Sequence, residues 1–186
     1  MIYLIFGLIL WSVVHFFPSV AVSGKVSFVS RFGQPIYMVV FSLLIILSLV
    51  LIVTGWRSSV PTFLYALPDF VRPLSVLLLA IAFVLFVAAR LPTRIKQVIR
   101  HPQLSSVVIW ALAHLLVNGD SRSVLLFGGL GAWAIIEMVL ISKREGEWVK
   151  PSRATGVQDA ICIVAGVAVF TVVVFLHPYL SGISLR

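Results

Sequence analysis

Acidic side chains are nearly missing from this sequence: six Asp and Glu stand among 186 residues, against 14 Lys and Arg. Charged residues make up 11% of the chain, where a water-soluble domain carries about 25%. So little charge cannot cover a packed core with polar surface, which excludes an ordinary soluble domain. The single cysteine, Cys162, lies inside an apolar run. It excludes an internal disulfide and a cysteine-built metal cluster, and its plain reading is a small core residue. No glycine-rich phosphate loop follows a strand, and no histidine pair has the i, i+4 spacing of a zinc helix. A basic leader with a small-residue cleavage site is also missing, so Met1–Phe17 reads as a retained span.

What the chain does have is apolar length. Hydrophobic residues make up 61% of it, and lipid is the solvent that suits such a composition. Apolar runs cover Ile2–Phe17, Ile36–Gly55, Leu74–Ala89, Leu104–Val117, Val124–Ile141 and Ala160–Leu176. The fold class they predict is all-α: a polytopic transmembrane helix bundle of about six spans, without a soluble domain. Residues 1–186 then form a single domain. The fourth run is short for a span of about 20 residues, so its ends are expected to extend into flanking polar residues. Prolines 18, 35, 61, 73, 92, 102 and 178 fall near the boundaries, as helix breakers do. Asn118–Ser121 reads as a tight turn, with Gly119 in the left-handed region and Asp120 or Ser121 capping the next helix.

The net charge of +8 does not point to nucleic acid, because the basic residues sit in short loops between apolar runs. The odd-numbered loops hold Lys25, Arg31, Arg90, Arg94, Lys96, Arg100, Lys143, Arg144, Lys150 and Arg153, and the other side holds Arg57, Arg72, Arg122 and Arg186. That asymmetry predicts odd loops in the cytoplasm and both termini in the periplasm, in a bacterial inner membrane. Between the third and fourth runs, Leu91, Ile95, Val98 and Ile99 share a helical face, which predicts a short interfacial helix over Leu91–Arg100. Gly128 and Ala132 read as a small-residue packing pair, and Trp11, Trp56 and Trp148 as interfacial anchors.

Ionisable residues inside spans are costly and therefore candidates for function. His15, Arg31, Arg100, His101, Glu137 and Asp159 all fall toward the cytoplasmic side, whereas His114 and His177 lie toward the other. Two neutral imidazoles from different helices, within apolar walls, are what a bis-histidine haem requires. His15 and His114 are the candidate iron ligands, with Arg31 and Arg100 as partners for the propionates. His114 counts roughly 10 Å deeper than His15 at about 1.5 Å per residue. Tilt, or a first helix running past Phe17, has to absorb that difference.

The stretch Arg100-His101-Pro102-Gln103, then Trp110-Ala111-Leu112-Ala113-His114 through Gly119, then Leu126-Phe127-Gly128 and Ala132-Trp133-Ala134, resembles the NnrU family of bacterial membrane proteins. His15, Arg31-Phe32-Gly33 with Tyr37, Leu91-Pro92 and His177-Pro178 fit the same pattern. The resemblance implies a role in the nitrite and nitric oxide metabolism of denitrifying bacteria, beside the reductase systems of that pathway. The family includes the plant 15-cis-zeta-carotene isomerase, so it also implies haem b and, alternatively, isomerisation of zeta-carotene or a similar apolar polyene. Carried over, that enzyme's haem histidines match His15 and His114. Its cysteine three positions before the second histidine is replaced here by Ala111, which sets a thiolate-exchange mechanism in doubt. Arg100-His101-Pro102 is also similar to an element of membrane methyltransferases, without their further C-terminal motifs. A transporter remains a further alternative.

Overall fold

A computed structural model describes residues 1–182, so Arg186, counted above for orientation, lies outside the described residues. Seven α-helices follow in order: α1 (Ile2–Val20), α2 (Val22–Phe32), α3 (Gln34–Ser58), α4 (Arg72–Ala88), α5 (Pro102–Val117), α6 (Ser121–Glu145) and α7 (Gly156–Ser181). The chain is an all-α membrane protein. Five helices are long and apolar enough to cross a bilayer; α5, with 16 residues, is shorter. At about 1.5 Å per residue α5 measures roughly 24 Å, against a hydrocarbon core of about 30 Å. The expected extension of this run is confined to its start, where Pro102 and Gln103 are added. The missing N–H of Pro102 suits the first turn, and the His101 carbonyl accepts the Ser105 N–H there at 2.9 Å.

Two compact units form. The first comprises Met1–Leu67 with Asn118–Glu147, the second Pro68–Val117 with the chain from Trp148. In the first unit α1 packs against α3 and α6. Leu4, Leu8 and Ile52 are buried at this contact, flanked by Trp11, Leu125, Leu126 and Leu130. The approach of α1 to α3 requires Gly55, because a Cβ there would collide with the Leu4 backbone. Gly128 does not pack in this way: a Cβ on it would meet nothing within 4 Å, and Ala132 is exposed. The packed face of α6 instead carries Phe127, Gly131, Trp133, Ala134 and Glu137.

The loop after α3 is stitched to the turn before α6. Leu64 and Tyr65 N–H donate to the Gly119 carbonyl at 2.8 and 3.0 Å, and Ser121 N–H donates to Thr62 at 2.8 Å. Gly119 is not in the left-handed region as expected; it is small because a Cβ would strike the Tyr65 carbonyl. Asp120 is the cap of α6, accepting from Arg122 and Ser123 N–H at 3.1 and 3.0 Å.

In the second unit α4 packs against both α5 and α7. The buried Ser75 hydroxyl donates to the Ala113 carbonyl at 2.7 Å, and Cys162 is fully buried with its thiol toward Val84. The interfacial helix expected over Leu91–Arg100 is instead a single 3-10 turn, Arg94–Gln97. Pro92 denies the segment an amide donor and keeps Leu91 out of helical geometry. Asp159 fixes what remains, accepting from the Thr93 hydroxyl and Arg94 N–H at 2.8 Å each and from the Arg94 guanidinium. An amphipathic helix forms two loops earlier, as α2. Its Val22, Val26 and Phe32 are exposed, and none of its residues is buried.

Candidate functional site

His15 lies in the last third of α1, which continues through Pro18 to Val20. Its Nδ1 is 2.8 Å from the Trp11 carbonyl oxygen. A carbonyl only accepts, so Nδ1 carries the proton and the neutral ring presents its lone pair at Nε2. Aromatic rings surround it: Trp11 at 4.3 Å between centroids, Trp133 edge-on at 4.9 Å and Phe41 edge-on at 5.7 Å. Trp11 is therefore not an interfacial anchor. It stands one turn before His15 and meets Trp133 edge-on at 5.3 Å.

The second unit repeats the local arrangement on α5. His114 Nδ1 lies 2.8 Å from the Trp110 carbonyl, and the two rings are 4.8 Å apart. The sequence supplies the same spacing twice, Trp11 to His15 and Trp110 to His114, and the i, i+4 step of a helix converts it into the same bond. His177 on α7 stacks on His114 at 6.5 Å, and its Nδ1 lies 3.2 Å from the hydroxyl of Ser181, which donates to the His177 carbonyl at 2.9 Å. Ala111 is 2% exposed, so one turn before His114 the helix presents a methyl group and no thiol.

The other expected site residues divide between the units. Arg31 ends α2 as an exposed side chain over the Phe32 ring, at 5.4 Å. Arg100 and His101 precede α5, and the twelve steps from Pro102 to His114 span roughly 18 Å. They do not share the level of His114. Two further cations lie nearer the aromatic group around His15. Lys25 Nζ sits 5.5 Å over the Tyr37 ring, and Arg144 donates to the Ser19 hydroxyl at 2.9 Å. Sequence reading passed over both as loop charges that orient the chain.

Among the described residues, five buried polar atoms of the first unit have no hydrogen-bond partner: the indole nitrogens of Trp11 and Trp133, the Tyr37 hydroxyl, Glu137 Oε2 and Arg122 Nε, the last 3.9 Å from the Asp120 carboxylate. Each such group is expensive away from water, and expensive orphans concentrate where a ligand or water completes them. Among the described residues no group of three or more His, Cys, Asp or Glu could hold a bare metal ion. The local donor chemistry is that of single histidines backed by a carbonyl, the pattern that orients an imidazole toward a metal. Each unit presents one such histidine, His15 in the first and His114 in the second.

The family model described as NnrU protein matches residues 3–185. The chain belongs to the NnrU family. No curated protein and no solved structure matches it. In this NnrU protein the matched region takes in all seven helices, both Trp-x-x-x-His elements and the Asp159 contact with Thr93 and Arg94.

Proposed function

We propose that this NnrU protein binds haem b in the bacterial inner membrane and serves nitrite and nitric oxide metabolism in a redox or accessory role. His15 and His114 are the axial ligands. The observation that carries the reading is the matched pair of Nδ1–H···O=C bonds, both 2.8 Å, to Trp11 and Trp110. Each bond selects the tautomer that leaves Nε2 to a metal and holds the ring against rotation. Trp11, Trp133 and Phe41 pack around the half-buried His15 ring, and such apolar surface suits a macrocycle. When bound, haem supplies one-electron chemistry at its iron. With two histidines assigned to the axial positions, electron exchange with a nitrite or nitric oxide reductase system is the role we assign. The basic residues of the odd loops support periplasmic termini.

The test is the absorption spectrum of the purified protein from cells supplied with haem. A Soret band is expected in the parent chain and its loss in His15→Ala and His114→Ala. No band, or a band indifferent to both substitutions, overturns the assignment.

A further inference from the structure

We infer that Lys25, Tyr37 and Arg144 form a carboxylate seat at one end of the first unit, and that it receives the propionates of a haem held by His15. The inference rests on the haem reading above and names, on this chain, residues that the reading leaves unassigned.

Tyr37 stands in the first turn of α3, 9% exposed, with a hydroxyl that finds no partner. A buried phenol without an acceptor is a donor in search of one. Two cations attend it. The Lys25 ammonium lies over its ring, and the Arg144 guanidinium, which donates to the Ser19 hydroxyl at 2.9 Å and to the adjacent Glu145 carboxylate at 3.4 Å, is within electrostatic reach of it. Ser19 is one turn beyond His15, about 6 Å along α1 at the usual rise. An aromatic path joins the seat to the histidine, from Tyr37 to Phe41 at 6.1 Å and from Phe41 to His15 at 5.7 Å. Apolar rings around His15 and, beyond Phe41, a donor with two cations match one kind of ligand: a planar apolar body with carboxylates on one edge. Arginine and tyrosine donors to carboxylate are charge-assisted and strong where water is scarce. Arg31 is instead turned onto the Phe32 ring.

The experiment titrates the full-length apo-protein, in neutral-lipid nanodiscs, with haemin and with haemin dimethyl ester, which keeps the ring and lacks the anionic carboxylates. The Soret band reports binding. The parent chain is expected to prefer haemin by at least about tenfold. Arg144→Gln and Lys25→Gln should each cut that preference several-fold and Tyr37→Phe less, while ester affinity stays unchanged as the control for folding. Equal affinity of the parent chain for the two ligands, or a full preference retained in all three variants, overturns the seat while leaving the haem reading intact. Binding of neither ligand refutes the haem reading itself. Repeating the titration with phosphatidylglycerol in the nanodiscs separates a second source of anion. A preference unaffected by that lipid supports the seat, and one abolished by it assigns the seat to a lipid phosphate.

Discussion

Glu137 offers a direct test of whether this protein keeps polar groups at a cost to its stability. It is 6% exposed, and its Oε2 has no hydrogen-bond partner. Leaving one buried polar group unpaired costs about 1–3 kcal/mol, and replacing it with an apolar group of similar shape removes that cost. Met approximates the length of Glu and adapts to irregular space. Glu137→Met is therefore expected to stabilise the protein by about 1–3 kcal/mol, raising the melting temperature by about 2–4 °C per kcal/mol for a chain of this size. Glu137→Gln, which keeps two polar atoms in place, should gain less. The assay is thermal unfolding in a fixed detergent, followed by tryptophan fluorescence and repeated on protein free of haem. Destabilisation by Met would refute the reasoning, since it would mean that the carboxyl has a partner worth more than its desolvation. A gain in stability joined to a changed Soret band would mark Glu137 as retained for function.

Gly119→Ala places a Cβ against the Tyr65 carbonyl and is expected to cost about 1–3 kcal/mol in the same unfolding assay, as other overpacking does; a neutral result would show that the 62–65 loop yields freely. Asp159→Ala removes the acceptor shared by Thr93 and Arg94 and should speed amide exchange over 93–97, measured by mass spectrometry, while α1 and α3 exchange as before. Unchanged exchange at 93–97 would assign the order of that turn to Pro92 alone.

Hydropathy reveals the spans because each is a continuous run, and all six predicted runs gain residues at one or both ends in the folded chain. Most of the added residues are polar or basic, such as Arg57, Lys143 and Arg144, which prolong a helix into the headgroup region without lowering its apolar content. The α2 helix escaped notice because Ser and Lys interrupt its apolar stripe, and a one-sided stripe carries no run. The 91–100 segment misled in the opposite direction: its apolar spacing is helical, yet Pro92 and the distant Asp159 decide its backbone. His15 and His114 were legible because imidazoles in a greasy run stand out. Their neighbours were not. Trp133 meets Trp11 across two helices far apart in the chain, and His177 meets His114 in the same way. Only the fold supplies those pairings, and Lys25 and Arg144 looked like orientation signals until Tyr37 was placed beside them.

The first unit is interrupted in the chain, with α4 and α5 made before its last helix. This sets a timetable for assembly. Thr62, Leu64 and Tyr65 emerge from the ribosome 54 or more residues ahead of Gly119 and Ser121, their hydrogen-bond partners. At about 5–20 residues per second that is a wait of roughly 3–11 s. His15 waits longer for Trp133, the ring that closes its third side. The contacts of Trp11 and His15 with Trp133 are therefore among the last that the first unit can make, although both residues belong to its first helix.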